Sequence, residues 1–355
     1  MKIETRKSGI ELAKIIAMLL IVISHVVLSV SNESLSLNET LDFINLNAAT
    51  TNINNIVLII FRYLGAIGND IFLISSIWFL CESKKTKLNK IINIVLDVWF
   101  ISFLFFLYYK NMRYEITAIE TLRYLLPTFY ATNWYVTCYI LLYAIHPLLN
   151  IVIDNINKKQ HYILCAVTMI IYCGLCLLSQ QLYINSLLIF IVIYFFIAYI
   201  KKYCLENYEN NNKKILLVST LLLICLIVVT NIAGLNIQFL ANEMQKWNSI
   251  NNPLIILISL SVFIIFKNID FESKLINYIS SLSLYIYLIH ENELFVKHNR
   301  SELVFTIKNM LSMPITAPTM LIISILLFVV VLLLSLVYKE TIGRITEKIS
   351  NSLSK

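Results

Sequence analysis

Lys14 and His25 are separated by ten residues, Ile15 to Ser24, none of them charged, inside the first apolar stretch of the chain. In a helix, eleven steps of ~100° make about three full turns, so the two side chains share one face, ~16 Å apart along the axis. Ionisable groups at membrane depth are costly and persist chiefly where they face a bundle interior or a water-filled cavity. A histidine, with an ordinary pKa of ~6.5, is a natural general base at neutral pH. Glu11 lies three residues before Lys14 and can pair with it on the helix surface. The structural alternatives are a hydrogen-bonded histidine in a helix interface and a lysine snorkelling to the membrane surface.

The elements that must position these residues follow from composition. The 355 residues are 59% hydrophobic and only 14% charged, with a mean hydropathy of +0.77. Such a chain cannot cover itself with polar surface, and its apolar runs are long enough to cross a ~30 Å hydrocarbon core. The expected fold is all-α, a polytopic membrane bundle in one domain over residues 1–355, in contact with the lipid bilayer. Ten spans are expected, at about 10–30, 55–80, 91–109, 134–153, 162–178, 187–200, 214–233, 252–266, 279–296 and 319–338. The ninth carries Ser, Tyr, His290 and Glu291. The basic N-terminus and first apolar run are read as a retained span rather than a cleaved signal peptide, because the run is long, Lys14 interrupts it and no small-x-small site follows Val30.

The net charge of +7 does not point to nucleic acid. The charges fall at the ends of apolar runs, and no basic patch is interleaved with aromatics. With the N-terminus inside, twenty of the 28 basic residues fall on the cytoplasmic side, seven on the outer side, and Arg62 within a span. That asymmetry places both termini in the cytoplasm. The seven cysteines lie in or beside apolar segments, and Cys173-x-x-Cys176 has neither a second pair nor a nearby histidine, so neither a disulfide nor a metal site is assigned.

Ile10-Glu11-Leu12-Ala13-Lys14-Ile15-Ile16-Ala17, followed by His25, resembles the start of the acyltransferase-3 family of integral membrane acyltransferases. The family has an acidic residue, an Arg three positions later, ten residues and then an essential His. Lys14 stands at the Arg position, keeping the charge without the planar fork. Gly68-Asn69-Asp70-Ile71-Phe72-Leu73-Ile74-Ser75-Ser76 resembles the G-V-D-I-F-F-x-x-S-G segment, with Ser76 in place of Gly. Asn133-Trp134-Tyr135, then Tyr139, Tyr143, Pro147 and Asn150, resembles the W-[FY]-L…Y…P-x-L-N span. Tyr285-Ile286-Tyr287-Leu288-Ile289-His290-Glu291 resembles the late I-Y-L-x-H segment. Together these segments span nearly the whole chain in the family order. The resemblance implies transfer of an acyl group, usually acetyl, from cytoplasmic acyl-CoA (acetyl-CoA as donor) to a hydroxyl of a surface glycan or lipid-linked oligosaccharide. It implies the stand-alone type in a bacterial cytoplasmic membrane, whose members often modify capsular polysaccharide or exopolysaccharide.

A sugar hydroxyl is a weak nucleophile until a base takes its proton during attack on a thioester, and His25 is the candidate base. Such a base needs an orienting partner, for which Asp70 is the nearest plausible carboxylate. Lys14 is assigned to placing the donor, with His290 and Asp70 near the reaction. Arg62 either holds an acceptor or forms a structural ion pair. His290 and Glu291 are expected to line the reaction cavity. Lys84, Lys85, Lys87 and Lys90 either receive the phosphates of CoA or express the positive-inside bias. His146 either faces the same cavity or bonds a carbonyl freed by Pro147. Trp134 and Tyr139 either form a wall for a sugar ring or belong to the interfacial aromatic belt. The rival function, a glycan transporter or flippase, would show repeat symmetry, and none is visible in the sequence.

Overall fold

Apart from Glu11 and Lys14, residues 10–23 are all Leu, Ile, Val, Met or Ala with no proline, so in lipid this segment must close its own backbone hydrogen bonds as a helix. In the computed structural model, which describes residues 8–36, 38, 40–175, 185–243 and 247–354, it does so as α1, Ser8–Ser29. Helix α2, Ile53–Leu80, starts at Asn52, whose side chain accepts from the Asn54 and Asn55 amides. Glycines set how closely these two helices approach. A Cβ on Gly65 would lie 2.5 Å from the Ser24 hydroxyl, and one on Gly68 would lie 2.5 Å from the Ala17 carbonyl. Small residues at such an interface let backbones meet where lipid supplies no hydrophobic drive.

Around this pair stand α3, Leu88–Asn111, and α5, Trp134–Asn155, with the short α4, Ala118–Leu125, between them. Helix α6, Lys158–Met169, runs into a π-helical turn at Ile170–Leu175. Next come α7, Ser186–Tyr199, and α8, Leu205–Gly234. They form one helical run of 49 residues that bends at Cys204, where φ is −133° and ψ is 4°. The short α9, Gln238–Glu243, precedes α10, Pro253–Lys267. The chain closes with α15, Ala317–Tyr338, a π-helical turn at Lys339–Gly343, and α16, Arg344–Leu353. Among the described residues no strand forms, and six helical runs are long and apolar enough to cross a membrane. Pro253–Lys267 is apolar but shorter. Residues 176–178 of the expected fifth span lie outside the described residues.

The expected ninth span departs most from the sequence reading. Residues 274–310 form α11, Lys274–Ser280; α12, Ser283–His290; α13, Glu293–Phe295; a π-helical turn at Val296–Arg300; and α14, Ser301–Met310. Polar side chains offer the backbone alternatives here. The Ser281 hydroxyl donates to the Tyr278 carbonyl, and Asn292 caps the next turn by accepting from the Leu294 amide at 3.1 Å. Broken backbone at membrane depth is tolerated where it is buried in protein or lines a cavity, and Ser280, Ser281 and Ser283 do line one.

The bundle has two distinct ends. At the basic end, Lys201 meets the Trp78 carbonyl at 2.6 Å, Lys267 pairs with Glu209 at 2.8 Å, and Ser8 bonds the Phe271 carbonyl at 3.0 Å. At the loop end, Asn54 donates to Ile315 at 2.9 Å and Lys297 pairs with Glu120 at 2.9 Å.

Candidate active site

Helix α1 presents Glu11, Lys14, Met18, Ile21 and His25 on one face, from the basic end towards the loop end. The last turn of α12 brings His290 and Glu291 to the top of that face. His25 Nδ1 lies 2.9 Å from Glu291 Oε1 and 3.2 Å from His290 Nε2. His290 is fully buried, and its Nδ1 lies 2.7 Å from the Ile286 carbonyl. A carbonyl only accepts, so His290 carries its proton on Nδ1 and offers the Nε2 lone pair. His25 then faces two acceptors through Nδ1, which must be N–H. Its other nitrogen, Nε2, is left as the basic one.

Arg300 completes the cluster. Only 3% of its side chain is exposed, and its guanidinium pairs with Glu291 Oε1. The π-helical turn at Val296–Arg300 folds this residue back over a glutamate nine positions earlier; such turns are frequent at functional sites. The carboxylate thus sits between a permanent cation and the imidazole, and it favours the imidazolium that forms when Nε2 takes a proton. The ligand atoms of His25, His290 and Glu291 lie within 4.8 Å of one another, close enough to bracket a metal ion. A fixed guanidinium on the carboxylate opposes a second cation there, so this donor set suits proton transfer better.

The sequence proposed Asp70 as the carboxylate orienting His25; the structure puts Glu291 there. Among the described residues, neither oxygen of the buried Asp70 has a hydrogen-bond partner. The neighbouring Gly68 packs at the level of Ala17 and Ile21, at least a turn below His25, which is the physical reason. Arg62 pairs with Glu33 through both guanidinium nitrogens, one at 2.6 Å, near the loop end.

Below the histidine pair lies a cavity of ≈ 620 Å³ open towards the basic end. Tyr135 and Tyr287, with ring centroids 5.9 Å apart, line its inner part. The Tyr287 ring in turn meets that of His290 at 6.0 Å. Glu11 and Lys14 flank it, with Nζ 3.4 Å from Glu11 Oε1, and Ser280 donates to Glu11 Oε2. Lys90, Lys339 and Arg344 lie around it as well. Lys90 reaches the Tyr139 hydroxyl at 3.0 Å and lies over the Tyr143 ring.

Of the expected residues, Glu11, Lys14 and Tyr139 line this cavity, while His25, His290 and Glu291 meet above it. Lys84, Lys85 and Lys87 are exposed in the segment before α3 and do not line it. Trp134 is 39% exposed and packs against Tyr135 and Phe190 outside it. His146 Nδ1 donates to the Tyr143 carbonyl at 2.6 Å, the group that Pro147 leaves without its helical partner. Sequence reasoning counted Arg300, Lys339 and Arg344 only as topology charges. The signal for Arg300 was its place nine residues beyond a glutamate in an apolar segment.

The acyltransferase-3 family model, described as an acyltransferase domain, matches residues 7–339, nearly the whole chain. No curated protein matches the chain, and no solved structure does.

Proposed function

The chain belongs to the acyltransferase-3 family and is therefore a multi-pass membrane acyltransferase; we propose that it acts in a bacterial cytoplasmic membrane, moving an acyl group, acetyl in the simplest case, from cytoplasmic acyl-CoA to a hydroxyl of a cell-surface polysaccharide or its lipid-linked precursor. The observation that carries this reading is His25, held through Nδ1 by Glu291 and His290 so that Nε2 is the basic nitrogen. In the reaction, Nε2 takes the hydroxyl proton as the sugar oxygen attacks the thioester carbon. The Glu291 carboxylate, itself fixed by Arg300, stabilises the imidazolium. The C–S bond then breaks, and the same proton passes to the departing CoA sulfur. Donor entry from the basic end fits the cations around the cavity, and acceptor entry from the loop end fits the position of His25 late in α1.

Membranes containing the protein, supplied with labelled acetyl-CoA and the acceptor glycan, test the reading. His25→Ala is expected to lower transfer by about 10²–10⁴-fold at unchanged protein level, the range general-base catalysis supplies. Full activity in that variant would remove His25 as the base. Unchanged ester content per glycan repeat after loss of the gene would remove the acceptor assignment.

A further inference from the structure

The last helix of the chain is built inside out. Thr346 and Ser350 are buried, whereas Ile345, Ile349 and Leu353 are 53%, 37% and 65% exposed. A surface helix of a soluble protein does the reverse. The outward apolar stripe continues the lipid-facing side of α15, where Leu333, Leu334 and Val337 are exposed. The inward polar stripe meets a matching stripe on α3, formed by Asn89, Asn93 and Asp97 at intervals of four residues. Thr346 donates to Asp97 Oδ1 at 2.7 Å, and Tyr338 donates to the same oxygen at 3.1 Å. Asn93 donates to Asp97 Oδ2 at 2.9 Å, and Asn89 donates to Asn351 at 3.1 Å. Asp97 is fully buried and receives bonds from its own helix, from α15 and from α16.

This ladder fixes one wall of the cavity. Gly343, Arg344, Glu347, Ser350 and Asn351 all line it. They share one helical face, and every one lies beyond the residues 7–339 that the family model matches. We propose that α16 is a donor-binding wall: it receives the nucleotide end of acyl-CoA, with Arg344, Lys339 and Lys90 meeting its phosphates. Asp97 and Thr346 are positioning residues that hold this wall in place. Four cations, Lys14, Lys90, Lys339 and Arg344, and three carboxylates, Glu11, Glu340 and Glu347, line the cavity, and Arg344 pairs with Glu340. Lys90 is held by a tyrosine hydroxyl and a ring face, and Lys339 by Ser281 and the Tyr278 ring. Both can turn to a phosphate without abandoning a bonded carboxylate.

The inference rests on the acyl-CoA reading, and the test separates the two. Steady-state transfer would be measured with acetyl-CoA and with acetyl-pantetheine, which keeps the thioester and lacks the nucleotide. For Arg344→Gln and Thr346→Val, the KM for acetyl-CoA should rise about 10-fold, the loss of roughly one charge-assisted contact. Their kcat and their KM for acetyl-pantetheine should stay at wild-type values, and Thr346→Ser should restore the acetyl-CoA KM. Equal changes for both thioesters, or none for either, would overturn the role of α16 while leaving acyl-CoA as donor. A wild-type protein that uses neither thioester would overturn the donor reading and this inference with it. Should Thr346→Val fail to accumulate, Arg344→Gln decides alone, because that side chain is 69% exposed and carries no core packing.

Discussion

The cluster around His25 and the cavity below it are two regions on one helix face, built on opposite principles. In the cluster the protein answers its own polar groups: His25 Nδ1 has Glu291 and His290, His290 has the Ile286 carbonyl, and Glu291 has Arg300. In the cavity, hydroxyls, amides, cations and carboxylates from several elements surround open volume. The difference follows from what each region must do. A group that moves a proton gains from being fixed before the reaction begins, because orientation is then not lost at the transition state. A surface that receives a large charged ligand must keep its bonding capacity for that ligand.

The sharpest way to break this contrast is to remove the charge that orients the base. Glu291→Gln keeps the shape and loses the carboxylate, and kcat is expected to fall at least about 100-fold with the donor KM unchanged. A comparable rise in KM instead would make Glu291 part of the binding surface. Next in size is the contact that sets the height of α1. Gly68→Ala would press a methyl group on the Ala17 backbone, which cannot yield like a flexible side chain. A loss of about 1–3 kcal/mol is expected, read as a lower unfolding temperature in detergent. A normal unfolding temperature would mean that the close approach is not needed.

The smallest effect serves as a reference outside both regions. The Lys297 ammonium and the Thr117 amide hold the Glu120 carboxyl down, to about 2. A depressed carboxyl stabilises the fold above its ordinary value of ~4.3 and loses that contribution as pH falls towards about 2. Glu120→Gln is therefore expected to cost less than ~1 kcal/mol at pH ~7, as a partly exposed pair does. The gap to wild type should narrow steadily below pH ~4. A gap that widens on acidification would contradict the pairing.

Much of the candidate site could be read in the sequence because the costs are local. Any ionisable side chain in an apolar run is conspicuous, and this singled out Lys14, His25, His290 and Glu291 without reference to their neighbours. Partner choice was not legible in the same way. Asp70 and Glu291 are equally conspicuous carboxylates in apolar segments, and only the relative heights of α1, α2 and α12 decide which one reaches His25. The lysines were misleading for a related reason. Density along the chain drew attention to Lys84, Lys85, Lys87 and Lys90, of which Lys90 alone lines the cavity, together with Lys14, Lys339 and Arg344 from three other elements.

By itself, the sequence determined that this chain lives in a membrane as a helical bundle, and which family it resembles. Those properties depend on the length of apolar runs and on short motifs, both of which are sums over neighbouring residues. Only the tertiary structure decided that the region expected as a ninth crossing breaks into short helices around a cavity, that Arg300 and Glu291 complete the His25 cluster, and that the final helix turns its polar face inward. Each of these depends on how far one helix slides and rotates against another. Side-chain packing and hydrogen bonds between distant segments set that quantity, and no local pattern encodes it.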